Sequence, residues 1–434
     1  MEQHSISAKL LWIALALLCA AGTWLYAYRV LIPEQIAYAR VHNLPRGNSS
    51  DLYPRWVGAR ELLLHGRDPY TIEITQEIQM GFYGRVLPPD QPGATQNYQQ
   101  GFYYPVYIAF FLAPTFDLPF KTVQRGFFWL LLVLTVITIP LWLRLLRWRV
   151  PLWAQAAMVV LTIGSLPLMQ GLKLGQMTLL VAPLLAGALV LLTLDRQFAA
   201  GILLALATVK PQLVWLVLFW LAIWTLSDWR RRYRWAASFL LSMTILCAAS
   251  EYYLPHWIMR FWQALREYRS YTGEMSATAM LTGPWSRALE VFAFLFMTAL
   301  CWRQRRQPAN SEAFAVIVSL VLAMTVLLVP SYGPYNQALL LPALLILVRD
   351  RQRIWTKDGV NRFLAVLVIV LIGWPWLSGV ALAGLSFVLA PATVQRGSLM
   401  PFWTALGIPP VLAAATLVYL TQRSFAPSQR PPTS

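Results

Sequence analysis

Charged side chains are scarce in this chain of 434 residues. Asp, Glu, Lys and Arg make up 12% of the sequence, whereas hydrophobic residues make up 58%. A typical soluble domain carries about 25% charged residues, so the composition excludes an ordinary soluble enzyme. Acids are the scarcer sign, with 18 against 35 bases, and the formal net charge is +17. Since most bases lie in short clusters between apolar runs, we interpret the charge as a membrane-topology signal and expect no nucleic-acid partner.

Cysteines and the familiar catalytic motifs are also scarce. The chain has three cysteines, all inside apolar runs, and their spacing suggests neither a disulfide framework nor a zinc site. No P-loop, GxSxG, HExxH or CxxC pattern is present, so nucleotide hydrolysis, serine-hydrolase chemistry and zinc proteolysis have no support. We expect neither a bound metal nor a cofactor.

Long apolar runs recur from Leu10 to Leu420. Each is close to the roughly 17 to 25 residues with which an α-helix crosses a bilayer. The pattern predicts an all-α, polytopic membrane protein whose single domain covers residues 1–434. About twelve transmembrane helices are predicted, with both termini in the cytoplasm: 9–31, 122–146, 151–169, 174–194, 198–209, 211–227, 234–253, 284–302, 312–330, 334–349, 361–381 and 400–421.

The orientation of these helices follows from four basic clusters, since an excess of Lys and Arg beside a membrane helix normally faces the cytoplasm. The clusters are Arg144/Arg147/Arg149, Arg230/Arg231/Arg232/Arg234, Arg303/Arg305/Arg306 and Arg349/Arg351/Arg353/Lys357. The two large hydrophilic segments, 32–101 and 254–283, then form the first and second extracytoplasmic loops, and 424–434 is a cytoplasmic tail.

Two stretches are unusual under this topology. Residues 102–118 must begin and end outside, as a re-entrant or interfacial helix, unless they cross and some basic clusters lie outside. Residues 198–227 must form a hairpin that turns at Lys210-Pro211, where proline cannot supply the backbone donor of a continuous helix.

The first extracytoplasmic loop is rich in aromatic residues and turn signals. Residues 51–66 read as an amphipathic helix ended by Gly66, and Thr71 to Tyr83 as a second one, followed by a Pro/Gln-rich loop from Pro88 to Gln100. Asp51 stands at the start of the first helix. It fits two interpretations: an N-cap that binds free backbone N–H groups, or a catalytic carboxylate.

Further candidates lie in other predicted outer segments, and each has a structural alternative. Lys173 and Gln176 belong to the turn 169–178, where a lysine also snorkels to the interface. Lys210 lies at membrane depth without an acid nearby in sequence, which marks it as a functional candidate or a snorkelling lysine. Tyr104 can belong to an aromatic belt, and the segment 330–337 with Tyr335, Asn336 and Gln337 can be a capped re-entry turn.

Several of these residues also carry a resemblance. Five features follow one another along the chain: Asp51 followed by Gly66-Arg-Asp-Pro-Tyr70, Tyr104-Pro105, Gly175-Gln176, Lys210-Pro211 and the segment 335–342. In that order they resemble glycosyltransferase family 87. These are GT-C-fold mannosyltransferases that use polyprenyl-phosphate sugars. The chain departs from the family at Val106, where a second proline is usual, and at Thr178, where asparagine is frequent.

The resemblance implies a multi-pass protein of the bacterial plasma (inner) membrane with its active site on the extracytoplasmic face. Asp51 would be the general base, and the donor phosphate or sugar would be held by Lys210, Lys173, Gln176, Tyr104, Tyr335, Asn336 and Gln337. The expected partners are a polyprenyl-phosphate-sugar donor, a lipid or glycan acceptor and membrane lipids. A lipid or sugar transporter or flippase, which needs a polar path through the bilayer, and a non-enzymatic scaffold are the alternatives.

Overall fold

The computed structural model describes residues 2–42, 50–87, 100–273 and 275–424, and within these ranges the regular structure is entirely helical. The predicted Pro/Gln-rich loop, apart from Gln100, and the predicted tail beyond Ser424 lie outside the described residues. The α-helices are Glu2–Tyr26, Ile32–Val41, Leu52–His65, Ile72–Tyr83, Ile108–Leu112, Phe120–Leu145, Leu152–Ile163, Leu166–Leu174, Thr178–Thr193, Gln197–Ala207, Trp215–Leu226, Trp229–Tyr253, Trp257–Thr272, Ala277–Thr282, Ser286–Gln304, Glu312–Leu328, Leu341–Arg349, Arg351–Thr356, Gly359–Leu385, Pro391–Gln395 and Ile408–Ser424. A π-helix, Ala27–Leu31, and five 3₁₀-helices, Ala113–Thr115, Pro211–Leu213, Gly283–Trp285, Pro334–Leu340 and Met400–Phe402, complete the list.

Length and composition separate the helices able to cross a membrane. Among the described residues four stretches qualify: Lys9–Val41, Phe120–Leu145, Ala277–Gln304 and Gly359–Leu385. Two bent pairs, with breaks of 63° after Ile163 and 86° after Tyr253, bring the number to six if each pair is one span. The described residues also contain five shorter apolar helices of 10–17 residues, so the protein is a helical, multi-pass membrane protein. The number twelve stays a prediction.

Three stretches of the backbone bear on particular predictions. The first helical stretch does not end at residue 31, since it passes through the π-helix Ala27–Leu31 and continues to Val41. The hairpin in 198–227 is present, with Gln197–Ala207 and Trp215–Leu226 on either side of Lys210-Pro211. Residues 108–115 form only a short helix, about 12 Å long at 1.5 Å per residue, which favours the re-entrant alternative for 102–118.

The four basic clusters meet at one end of the helices, although they are far apart in sequence. Their guanidinium groups donate to backbone carbonyls of one another's loops: Arg147 to Asn310 at 3.0 Å, Arg232 to Arg305 at 2.8 Å and Arg349 to Leu146 at 2.8 Å. Three helices, Phe120–Leu145, Trp215–Leu226 and Glu312–Leu328, each have one terminus at this end. The last has 17 residues, about 26 Å of rise, so its other terminus lies far from the arginines.

Candidate active site

Asp51 is positioned by a close approach of two chain segments at the end opposite the arginines. Its backbone N–H donates to the carbonyl of Leu174 at 2.9 Å, at the end of the helix Leu166–Leu174. Gly175 ends that helix with φ of +64°, and a side chain there would bring a Cβ to 3.2 Å from Cβ of Leu52. This turn therefore favours glycine for two reasons: the positive φ, and the close approach of Leu52, which leaves little room for a side chain.

The carboxylate of Asp51 does not cap its helix. Asp51 occupies the N-cap position of Leu52–His65, but its side chain makes no capping hydrogen bond. Its Oδ2 accepts a hydrogen bond from Nε2 of Gln176 instead. The capping interpretation of the carboxylate is therefore wrong, and its orientation is set by a contact across 125 positions of sequence.

Gln176 connects Asp51 to Lys210. Its amide is 1% exposed, donates through Nε2 to Asp51 and accepts through Oε1 from Nζ of Lys210 at 3.3 Å. A carboxylate only accepts and an ammonium only donates, so this orientation of the amide serves both neighbours.

Lys210 is buried, with 5% of its surface exposed, at the turn between two apolar helices. The backbone there is non-helical, as expected for a residue before proline. Besides Gln176, Nζ donates to Thr178 Oγ1 at 2.9 Å and to Asn336 Oδ1 at 3.4 Å. It also lies 4.7 Å from the ring centroid of Tyr335, a cation–π distance. The snorkelling interpretation predicts an ammonium group in solvent, and this one is enclosed.

A cavity of about 280 Å³ lies beside this network. Asp51 is the only carboxylate among its described lining residues, and the cations are Arg55, Lys210 and Arg269. The remaining lining residues are mostly aromatic or neutral, including Tyr103, Tyr104, Tyr268 and Tyr335. A single base among cations and phenols suits an anionic ligand with hydroxyl groups.

The helix Trp257–Thr272, inside the predicted second loop, forms one wall of this cavity. Phe261, Leu265, Tyr268 and Arg269 line it, at the spacing of one helical face. The helix is attached to the first loop by an ion pair between Arg260 and Asp68. One face of this helix therefore forms part of the wall of a cavity large enough for a substrate.

Tyr104 is held from two sides. Its carbonyl accepts from the hydroxyl of Tyr70 at 2.6 Å, and the guanidinium carbon of Arg55 lies 4.2 Å from its ring centroid. Burial, with the charge of Asp68 adding to it, raises the pKa of Tyr70 well above its ordinary value, so this hydroxyl stays protonated and donating.

Three other acids of the predicted outer segments, Glu61, Asp68 and Glu251, have structural partners. Glu61 contacts Arg67 at 3.1 Å and His65 at 3.0 Å, and Asp68 contacts Arg260 and the backbone N–H of Tyr70. Glu251 accepts from the backbone N–H of His256 at 2.6 Å. None of these acids is among the lining residues of the cavity, which separates Asp51 from them.

The structure brings most, but not all, of the sequence candidates together. Asp51, Tyr104, Gln176, Lys210 and Tyr335 line the cavity, and Asn336 lies behind it in contact with Lys210. Lys173 is not among the lining residues, and Gln337 donates to Tyr332 Oη and the carbonyl of Ala405, both at 2.6 Å. The predicted roles of these two residues stay predictions without support from the cavity.

Sequence reasoning missed Arg55, Arg269, Tyr103 and Tyr268 as lining residues. Arg55 had a usable signal, because it follows Asp51 by four residues in a predicted helix and so shares its face. Thr178, noted only as a departure from a family pattern, contacts both Lys210 and Asn336. Among the described residues, no group of three or more His, Cys, Asp or Glu side chains is placed to hold a metal ion.

A comparison with protein-family models matches residues 102–331, more than half of the chain, to glycosyltransferase family 87. The chain belongs to glycosyltransferase family 87. It is therefore an enzyme that transfers a sugar from a donor to an acceptor, and the recognition made from the sequence is confirmed. The match includes Tyr104, Gln176 and Lys210, whereas Asp51 and Tyr335 lie outside it. Neither a curated protein nor a solved structure gives a significant match.

Proposed function

We propose that this family 87 glycosyltransferase transfers a hexose from a polyprenyl-phosphate donor to a hydroxyl group of a lipid or glycan acceptor, with inversion at the anomeric carbon. The family resemblance favours mannose. The observation that carries the proposal is the Asp51–Gln176–Lys210 connection beside the cavity, because it puts one base and one cation at a single substrate-sized space.

The proposed reaction needs a base on the acceptor and positive charge on the leaving group. Asp51 takes the proton of the acceptor hydroxyl, whose oxygen forms a bond to the anomeric carbon as the bond from that carbon to the phosphate oxygen breaks. The electron pair leaves with polyprenyl phosphate, which gains negative charge. Lys210 stabilises this charge at close range in a site of low dielectric constant.

Gln176 has a positioning role in this proposal. Its Nε2 holds the carboxylate of Asp51 in one orientation, and its Oε1 accepts one of the hydrogen bonds from the ammonium group of Lys210. Tyrosine rings at the cavity wall provide flat surfaces against which a sugar ring can pack, and their hydroxyl groups can bond to its hydroxyls.

We place the site on the extracytoplasmic face, in a GT-C-like fold with about twelve membrane crossings. The supporting argument is the separation of charge: the four basic clusters meet at one end, and the cavity lies beyond the opposite ends of the helices. A cysteine at Ile72, which is 62% exposed, should then react with an impermeant thiol reagent in intact cells. A cysteine at the exposed Gln352 should react only after lysis, and the reverse pattern would contradict the orientation.

A flippase would need polar groups along the whole path between the two faces. The described polar network around Lys210 is instead confined to the cavity end, which supports transfer over transport. The decisive experiment incubates the purified protein with labelled polyprenyl-phosphate sugars and a membrane-lipid extract, and then identifies the labelled product. Absence of transfer from every polyprenyl-phosphate sugar tested would overturn the proposal.

A further inference from the structure

Arg55 is a buried cation with one buried nitrogen that has no hydrogen-bond partner in the described part of the chain. It is 8% exposed, lines the cavity and stacks on the ring of Tyr104. Its Nη1 is buried without a hydrogen-bond partner in the described part of the chain, and no described carboxylate lies within ion-pair distance of it. A ring face attracts the charge but does not satisfy N–H donors that lie in the guanidinium plane.

Arg232 shows what a structural arginine looks like in the same protein. It is 9% exposed and also stacks, with its guanidinium carbon 4.1 Å from the ring centroid of Trp224. Its Nη1, however, donates to the carbonyls of Trp224 at 2.7 Å and Arg305 at 2.8 Å. Buried polar groups in native proteins are nearly always satisfied. Arg60 also has a buried nitrogen without a partner among the described residues, but it does not line the cavity. The unsatisfied nitrogen of Arg55, combined with its place in the cavity wall, therefore points to a missing acceptor.

Lys210 offers less capacity for a ligand than its charge suggests. An ammonium group has three N–H donors, and Nζ of Lys210 already has three side-chain acceptors in Gln176, Thr178 and Asn336. Arg55 has five donors in a planar fork that fits two phosphate oxygens at once. Lys210 can therefore act on a phosphate through its charge, whereas direct bonds are available from Arg55.

We propose that Arg55 is the residue that directly binds a phosphoryl group of a substrate in this cavity. The inference rests on the proposed function for the substrate class and assigns the direct contact to a residue other than Lys210. The phosphoryl group can belong to the polyprenyl-phosphate donor or to an anionic acceptor. A guanidinium group would bind a phosphoryl group from either source with the same pair of hydrogen bonds, and the experiment distinguishes the two sources.

The test compares binding of polyprenyl phosphate with binding of uncharged polyprenol by the purified, full-length protein. In Arg55→Gln, the preference for the phosphorylated lipid should fall by about tenfold or more, the equivalent of a hydrogen bond to a charged group. Arg55→Lys keeps the charge but loses the fork, so it should retain an intermediate preference. Arg60→Gln is the matched control, because Arg60 stacks on Trp56 in the same helix but does not line the cavity.

The melting temperature of the protein without ligand provides a second measurement. A structural role of Arg55 predicts that its substitution lowers this temperature, whereas a ligand-binding role predicts that it does not. Removing an unpaired buried charge should leave the melting temperature of Arg55→Gln unchanged or raise it, whereas Arg232→Gln should lower it. If Arg55→Gln nevertheless fails to fold, Arg55→Lys carries the binding test alone.

The outcomes are distinct. A reduced preference for polyprenyl phosphate assigns Arg55 to the donor, and an unchanged preference with weaker binding of an anionic phospholipid assigns it to the acceptor. If both stay at the parental value, the proposal is wrong. Because the binding assay requires no turnover, its result is independent of whether the parent transfers a sugar, so failure here differs from failure of the proposed function.

Discussion

The chain between residues 330 and 341 contributes to two cavities of opposite character. The smaller, of about 280 Å³, contains Asp51, Lys210 and Arg55 in its wall, together with Ser331 and Tyr335 from this segment. The larger, of about 620 Å³, is formed mainly by apolar and tryptophan side chains, with Gln337, Leu340 and Leu341 from the same segment. No acid is among the described lining residues of the larger cavity, and its two arginines, Arg149 and Arg351, belong to the basic clusters.

This difference shows that the size of a cavity does not identify the active site of a membrane protein. Gaps between apolar helices make large cavities that offer no group able to take or give a proton. The smaller cavity has converging titratable side chains, and their partners come from other segments of the chain, which is the arrangement that acid–base chemistry needs. The following predictions test that contrast.

The largest effect is expected for Asp51→Asn. The oxygen of asparagine can still accept from Gln176, so the fold and donor binding should be preserved, but the amide cannot take the acceptor proton. Sugar transfer should fall by at least about a hundredfold, the usual lower value of general-base catalysis. Initial rates with labelled donor measure this, and Glu61→Gln, in the same helix but paired with Arg67, is the control. Near-parental transfer by Asp51→Asn would remove Asp51 from the reaction.

Lys210→Gln should have the next largest effect. Its loss removes the positive charge near the leaving group and takes a donor from the oxygens of Gln176 and Thr178, so the donor KM should rise and kcat should fall. The combined loss in kcat/KM should be about tenfold to a hundredfold. Steady-state kinetics at varied donor concentration measure both constants.

Lys173 provides the matched comparison for Lys210, because both lysines were candidates from the sequence and only Lys210 lines the cavity. Lys173→Gln should leave kcat/KM close to the parental value. Equal damage by the two substitutions would mean that the cavity does not define the site.

A smaller effect is expected where Asp68 attaches the first loop to the helix Trp257–Thr272. The pair of Asp68 and Arg260 is partly exposed, with 18% and 39% of the side chains accessible, so it should contribute no more than about 1 kcal/mol to the free energy of unfolding. Asp68→Asn should lower transfer by roughly fivefold at most, the kinetic equivalent of that energy. A double-mutant cycle with Arg260→Gln measures the coupling, and a loss as large as that of Asp51→Asn would identify Asp68 as a second catalytic carboxylate.

The smallest effect is expected in the apolar cavity. Ala157→Leu adds volume to its wall without displacing a polar group, so transfer and binding of polyprenyl phosphate should stay within about twofold of the parent. A tenfold loss in either measurement, at parental thermal stability, would show that the apolar cavity belongs to the substrate path.

The helical elements were largely readable from the sequence. Apolar run lengths located the helices, and Gly66 and Lys210-Pro211 located a helix end and a hairpin, because backbone restrictions of glycine and proline act over a few residues. The first membrane span was predicted to end near residue 31, and the helix itself continues through a π-helical turn to Val41, an extension that hydropathy does not signal.

The site likewise has some features that local sequence predicts and others that depend on contacts between distant parts of the chain. The sequence by itself determined that this is a multi-pass helical protein of its family, and it nominated Asp51, Gln176 and Lys210, because residue type, hydropathy and order along the chain carry that information. Only the tertiary structure decided that Asp51 turns away from its own helix to Gln176, that Lys210 is enclosed, and that Arg55 rather than Lys173 lines the cavity. These choices depend on contacts between residues far apart in sequence, up to 126 positions for Lys210 with Asn336. Such contacts are set by how the helices pack and leave no periodic signal in the sequence.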